Sequence, residues 1–580
     1  MVFKKKINIK ELLIPAILLG LLIFVHLVLI SKTFVVDFEG NIRTAITGYG
    51  DIPLHMTQIS KFAFTSFNLN EPIFAGTKLS YPFFINLISG IILRISNNFQ
   101  FSTLTPVFIL VILNIILTYE FFKKVLKSEL FSTLATLTAF LGGGLGGFIL
   151  LFHTLSNKDS VSFMMSQMVS KSMSTITKWD AKFPTQNIDF GSPISLVFLH
   201  QRPFFLGFFL FMIFMLSLLK IRQERGNKSV VAGGIVLGLM PLSHTHSFVA
   251  AIITLFALIL TSFFYKEKIF VGKLLRTSII GAIVAMPQLF YLLSDKTVLN
   301  SSSDFFSIRM GWMVSPTIGS VSFPVGKAPS VFSLSYLNFL IVNFGIVLPL
   351  FIFLLLVLVL KIRKNKKDLF FPVFLGLSGL LIFLCGQIIK FQPWDYDNNK
   401  IFVYFQIFAV SLIFFFLKNL KKSVLVKLVF TLLFLFTAIF SGLLDIYPRL
   451  AVSSTDLPVI FSNSSSKLSE FIKKNISEKD IIVTGTSHLN PVSSLCGRVV
   501  LVGYPGWLWT RGIKYNERLK DLSDFYKNPS MNSKIIKEFD PKYVLLDNQV
   551  VSDFGADQKI FNKRFIKVFQ EGEYSLYAIR

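Results

Sequence analysis

The sequence predicts a polytopic α-helical membrane protein of about 11–12 spans with a small C-terminal extracytoplasmic α/β domain. Three observations carry this expectation. The 580-residue chain is 53% hydrophobic and holds 66 Phe, far more apolar than a soluble protein of its size. Apolar runs of about 20 residues, the length that crosses a bilayer core, recur along most of it. Lys/Arg clusters punctuate those runs. The net charge of +26 is therefore not a nucleic-acid signal. From Ala451 on, 18 Lys+Arg stand against 14 Asp+Glu, so about +22 belongs to the membrane part. There, basic loops stay in the cytoplasm and attract anionic lipid head groups. We expect membrane lipid as a partner and no nucleic acid.

The N-terminal MVFKKKINIK precedes an apolar run with no small-residue cleavage site, which reads as a retained signal anchor. Candidate spans follow at 11–31, 104–126, 130–152, 193–219, 229–242, 246–265, 272–294, 334–361, 369–389, 399–418 and 422–444. The basic connectors are Lys4–Lys6, the runs from Lys123 and Lys220, Lys266–Arg276, and the runs from Lys361 and Lys418. Placing all of them in the cytoplasm gives one consistent alternation, with the N-terminus inside and the C-terminal domain outside. Tyr81–Ile95 is apolar but only about 15 residues long against the usual ~20, so it reads as a re-entrant or interfacial helix.

The division is a multi-span domain 1–450 with a long first outer loop 32–81, a Ser-rich linker 451–466, and a soluble α/β domain 467–580. In the last, Lys467–Asn475, Asn516–Tyr526 and Asn532–Phe539 read as helices. Asp480–Gly485, Arg498–Gly503 and Lys542–Asp547 read as buried strands, and the terminal EYSLYAIR as an edge strand. The two cysteines, Cys385 and Cys496, offer neither a disulfide framework nor a metal cluster.

This topology gathers the unusual polar residues on one face: the 37–81 segment, loop 153–192 with Trp179, Asp180 and Asp189, the Ser243–Ser247 turn, loop 295–333 with Asp304 and Arg309, and Lys390–Lys400. A transporter would instead carry charge near the midplane. Asp51 is the first candidate for catalysis. A carboxylate at the outer membrane surface can take the proton of an attacking hydroxyl. Between Gly50 and Pro53 it also suits a helix N-cap, which is the plain structural alternative. His55 follows it on the same helical stretch. Asp37 and Glu39 form a second acidic candidate, or simply end the first span. His244 and His246 form an H-x-H pair that can bind a divalent metal but lacks a clear third ligand, and a hydrogen-bonded turn is the simpler reading. Arg202, at the outer end of an apolar helix, can meet a lipid phosphate or snorkel to the interface. The QPWDYDNNK run supplies Trp394, Asp395, Asp397 and Lys400: an aromatic for a sugar face, acids for hydroxyls, a cation for phosphate. GYPGWLWTRG at Gly503–Gly512 can stack on a sugar or rest on the membrane interface, and the latter is the plainer reading.

The order of these parts resembles the GT-C superfamily of membrane glycosyltransferases, which includes protein mannosyltransferases and aminoarabinose lipid A transferases. The residues that carry the likeness are GDIPLHMTQISKFA followed by PIFAGTKLSYPFF, with PWDYDNNK and GYPGWLWTRG, the last two seen in prokaryotic proteins of that superfamily. The resemblance implies a polyprenyl-phosphate-linked sugar donor and an essential acid in the first outer loop, here Asp51. The paired Asp-Glu of several of these families is here Asp51-Ile52, and the Lys-Pro of the aminoarabinose transferases is here Tyr81-Pro82, with Lys78 nearby. The expected function is an inverting glycosyltransferase acting on an extracytoplasmic glycolipid, polysaccharide or protein. Asp51 would be its base, with His55, Arg202, Trp394, Asp395, Asp397 and Lys400 on the substrates. A divalent metal is an open question. The competing readings are a lipid-linked sugar flippase and a non-catalytic scaffold or sensor.

Overall fold

The computed structural model describes residues 9–45, 48–156, 162, 191–224, 226–294, 307–314, 331–364 and 369–579. Trp179, Asp180, Asp189 and Asp304 lie outside the described residues.

Helix α1 (Ile9–Ser31) leads into a hairpin of β1 (Val35–Val36) and β2 (Ile42–Arg43), then α2 (Ile52–Phe64) and α3 (Phe84–Ser96). Next come α4 (Phe99–Leu126), α5 (Glu129–Leu141), α6 (Gly146–Ser156), the short α7 (Pro193–Leu196), α8 (Arg202–Gln223), α9 (Lys228–Gly238), α10 (Thr245–Phe264) and α11 (Lys268–Leu293). After β3 (Ser307–Ile308) follow α12 (Leu334–Phe344), α13 (Val347–Lys364), α14 (Phe370–Ile388), β4 (Ile389–Lys390), α15 (Asn399–Lys418) and α16 (Val424–Ala451). Strands β3 and β4 pair antiparallel.

Among the described residues, eight helices are long and apolar enough to cross a membrane: α1, α4, α8, α10, α11, α14, α15 with the turn before it, and α16. Two bent pairs, α5/α6 at 68° and α12/α13 at 103°, raise the number to ten. The described residues thus support about eight to ten candidate spans beside the expected eleven or twelve. The run read as a span at 229–242 is only the 11-residue α9. It packs on α11 through small residues: a Cβ at Gly234 would fall 2.6 Å from Ile280, and one at Gly238 2.4 Å from Val284. The two bends have a shared cause. The chain breaks at Gly142–Gly144, where a Cβ on Gly144 would lie 2.1 Å from the Val342 carbonyl, and turns again at Gly345, whose φ is +59°. Each bend occupies the space the other leaves. Helix α3, with 13 residues, is too short to cross alone.

The centre of the bundle is α15, buried on every side over its first sixteen residues, Asn399–Phe414. A helix apolar all round belongs at a core, and Phe344 and Phe351 pack edge-on against its Phe402 and Phe405, with Phe383 tilted against both.

After α16 comes β5 (Val459–Phe461), which pairs with β2 of the first loop. Then follow α17 (Asn463–Asn475), β6 (Ile482–Val483), α18 (Pro491–Cys496), α19 (Pro505–Thr510), α20 (Asn516–Lys527), α21 (Lys534–Phe539), β7 (Tyr543–Leu546), α22 (Asn548–Phe554), α23 (Gln558–Arg564), β8 (Ile566–Glu571) and β9 (Tyr574–Ala578). The sheet order is β6-β7-β9-β8, with β6 parallel to β7 and the other pairs antiparallel. The terminal strand is therefore interior, a correction to its expected edge position, and β8 is the edge. Arg498–Gly503 also departs from expectation. Beyond one bridge from Val500 to Ile482 it runs along the first loop: Val500 N donates to Pro72 O at 2.9 Å and Gly503 N to Ile73 O at 2.7 Å. Leu54, Ile73, Phe74 and Ala75 of that loop lie in the same hydrophobic core as Val483, Leu501, Phe525 and Tyr577. Loop and C-terminal domain have folded as one body.

Candidate functional site

Helix α2 starts at Asp51, with Pro53 in its first turn where a missing N–H costs nothing. It is buried along almost its whole length, Ile52–Ala63, between α3 on one side and α18 on the other. Asp51 holds the N-cap position, yet its side chain makes no capping hydrogen bond. The carboxylate turns away from the helix. Oδ2 accepts from Gln201 Nε2 at 2.7 Å and lies 3.6 Å from His200 Nε2. The side chain keeps 32% of its surface open, but protein surrounds it closely. That enclosure lifts its pKa from 3.8 to about 6, with Lys400 opposing the rise and Asp397 adding to it. Burial holds His200 at about 3, so this histidine is neutral and its contact with Asp51 is not an ion pair.

Lys400 sits in the first turn of α15, where the helix dipole disfavours a cation. It is 8% exposed and pairs with Asp397 Oδ2 at 3.1 Å. The 3₁₀ turn Asp395–Asn398 that presents Asp397 is held by Asn398, whose Nδ2 donates to Gly386 O and Ile389 O. Trp394, 39% exposed, precedes it.

The C-terminal domain completes the surroundings. Trp507 Nε1 donates to Gly50 O at 3.2 Å, and the Trp509 ring lies 6.3 Å from that of Trp394. Arg511 Nη1 bonds Glu71 Oε2 at 2.8 Å in a pair that is almost fully buried, and its guanidinium stands 4.8 Å over Tyr81. His488 packs on Tyr49 and on Tyr504, at 4.8 and 5.4 Å. The GYPGWLWTRG run therefore faces the first loop and the Trp394 segment rather than simply a membrane interface.

The other expected residues fall as follows. His55 is buried and its Nδ1 meets Asn86 Nδ2 at 3.1 Å. Arg202 points away from the carboxylate: Nε donates to Asn86 Oδ1, Nη1 to Thr103 O and Nη2 to Ser89 Oγ. Its hydrogen bonds tie α8 to α3 and α4. Asp37 bonds Arg43 Nε at 2.7 Å and, with Glu39, binds Asn41, so both acids serve the β1–β2 hairpin. Arg43 holds the Asp37 carboxyl down at about 2. His244 caps α10 through Ser247, and His246 stacks on it at 5.3 Å. Among the described residues no three His, Cys, Asp or Glu side chains gather as a metal needs.

Sequence reasoning missed Tyr49, His488 and the Glu71–Arg511 pair. A buried pair 440 residues apart leaves no local trace.

In fold, this chain is similar over nearly its whole length to solved archaeal oligosaccharyltransferase structures, in keeping with the expected resemblance to the GT-C membrane glycosyltransferases. The crystal structure of the Archaeoglobus fulgidus oligosaccharyltransferase tethered with an acceptor peptide containing the NVT sequon matches with a TM-score of 0.51 at 11% identity, over 97% of this chain and 73% of that one. The A. fulgidus oligosaccharyltransferase AglB in complex with an inhibitory peptide and a dolichol-phosphate gives 0.50 at 12%, over 98% and 74%. ArnT from Cupriavidus metallidurans bound to undecaprenyl phosphate gives a looser 0.46 at 10%, over 97% and 98%. At these identities the likeness is one of fold alone. No family model and no curated protein matches the sequence.

Proposed function

We propose that this protein is an inverting membrane glycosyltransferase that moves a sugar from a polyprenyl-phosphate-linked donor to an extracytoplasmic acceptor: a glycolipid, a polysaccharide or a protein. The observation that carries the reading is the Asp51 carboxylate. It stands at a helix start without capping it, is held by Gln201, and is poised near pH 6. A base needs that combination of a fixed position and a pKa near neutrality. Asp51 takes the acceptor's hydroxyl proton as the acceptor oxygen bonds to the anomeric carbon. The anomeric carbon–oxygen bond to phosphate breaks, and the phosphate leaves with the electron pair toward Lys400. Trp394 and Trp509 offer aromatic faces to a sugar ring beside this path. The dolichol-phosphate held by the A. fulgidus enzyme supports a lipid phosphate on the donor side.

The test is a transfer assay with the full chain in proteoliposomes and a panel of polyprenyl-phosphate sugars, reading release of polyprenyl phosphate and the anomeric configuration of the product. Turnover of one donor with inversion, abolished in Asp51→Asn, is expected. Full activity of that variant sinks the assignment.

A further inference from the structure

Arg202, Asn86 and His55 form a buried chain of side chains that the reaction scheme above does not use; they are 3%, 0% and 1% exposed. A guanidinium only donates, so the Asn86 atom 3.1 Å from Arg202 Nε is the amide oxygen. The other end of that amide is the NH₂ group. It donates to His55 Nδ1 at 3.1 Å and to Gln58 Oε1 at 2.8 Å. A ring nitrogen that accepts carries no proton, so the neutral imidazole holds its proton on Nε2. Burial, and then the charge of Arg202, hold His55 well below the usual imidazole range, which keeps the ring neutral. Nε2 is buried and has no hydrogen-bond partner among the described residues. A buried N–H without an acceptor is rare and costly, and it calls for a ligand.

The ring lies one turn of α2 beyond Asp51, its centroid 6.2 Å from that of Tyr81, and His200, Arg511 and Lys400 all act on it electrostatically. Arg202 has an unusual setting as well. A buried cation in an apolar bundle normally pairs with a carboxylate, and all three acceptors here are neutral.

We infer that Arg202 and Asn86 fix the tautomer of His55 so that its Nε2–H is offered to a phosphate oxygen of the lipid-linked donor. This rests on the donor class proposed above. His55 is then the group that touches substrate, and Arg202 and Asn86 are positioning residues. A neutral donor binds the phosphate without competing with the Lys400 charge, and its hydrogen bond strengthens as the leaving oxygen gains charge.

The test uses the full chain, ¹⁵N-labelled at histidine, in nanodiscs. The chain has 7 His, and the signal of His55 is identified by its loss in His55→Gln. The expected wild-type spectrum shows a protonated Nε2 and a bare Nδ1. On adding dolichyl phosphate, the Nε2 resonance moves and Nδ1 stays. In Asn86→Asp the carboxylate still accepts from Arg202 but cannot donate to His55. The proton shifts to Nδ1, and dolichyl phosphate binding weakens by about tenfold or more. A wild-type ring protonated on Nδ1, an Nε2 that does not move while the lipid binds, or an Asn86→Asp variant with reversed tautomer and unchanged affinity each overturns the inference. The wild-type measurements need no variant to fold. A wild-type protein that binds no polyprenyl phosphate overturns the donor class and with it the ligand of Nε2, whereas the tautomer is read independently of both.

Discussion

Replacing Asp51 by Asn separates a catalytic carboxylate from a helix cap. A capping Asp stabilises its helix, and its loss costs about 1 kcal/mol. Asp51 makes no capping bond, and its environment opposes its charge. The carboxyl titrates near 6 instead of 3.8, a displacement of about two pH units, which gives a ceiling of about 3 kcal/mol for the strain of the ionised form. The side chain is 32% exposed, and solvent screening brings that ceiling to about 1–2 kcal/mol. A group whose folded pKa is raised binds its proton more tightly in the folded state. The penalty is therefore full above about pH 6 and fades as pH falls toward the unfolded value near 4. Asparagine keeps the acceptor for Gln201 and carries no charge. Asp51→Asn should thus melt higher than wild type at pH 7.5, melt equally near pH 4, and lose transfer activity by about 10²–10⁴-fold. Thermal unfolding in detergent at the two pH values, beside the transfer assay, measures both effects. A variant that melts lower at pH 7.5 would restore the capping role and refute the reasoning.

Removing the Lys400 charge in Lys400→Met takes away the influence that lowers the Asp51 pKa, so the acid limb of kcat/KM should move up from about pH 6; a limb that moves down or stays contradicts the proximity. Arg511→Ala leaves Glu71 buried and unpaired at 1% side-chain exposure, which should cost about 3–5 kcal/mol and open the first loop to protease. Gly497 has φ +64°, and a Cβ there would stand 2.4 Å from Lys61 N, so Gly497→Ala should cost about 2–4 kcal/mol, read as a lower melting temperature of the whole chain. Independent melting of the C-terminal domain in that variant would show that α2 and α18 do not support one another.

The parts of this fold that the sequence displays are those set by local pattern. Apolar length marked the long helices α4, α10 and α16, and apolar runs bounded by turn residues marked β7. Local pattern failed where tertiary contact decides. The 229–242 run looks like a span because its residues are apolar, but its glycines are there to let α11 approach, and only ten of those residues are helical. Arg498–Gly503 has the composition of a central strand, and its backbone partners turn out to be Pro72 and Ile73, more than 400 residues earlier. The site divides the same way. Asp51, Asp397 and Lys400 were visible as polar residues in expensive surroundings. Arg202 was visible for the same reason, but nothing nearby in sequence shows that Asn86, Ser89 and Thr103 accept its hydrogen bonds.

The shared core of the first loop and the C-terminal domain bears on how the proposed site would work. Asp51 and His55 lie on a helix that α3 supports from one side and α18 from the other, with Ser60 Oγ donating to Ser494 O at 2.7 Å and Ser494 Oγ to Pro53 O at 3.2 Å. Gly50, the residue before the carboxylate, is held by Trp507. Positioning within about half an ångström is what separates a working base from an idle one. A free loop between two spans has no means of supplying it. The C-terminal domain supplies it here by fixing the backbone on both sides of Asp51.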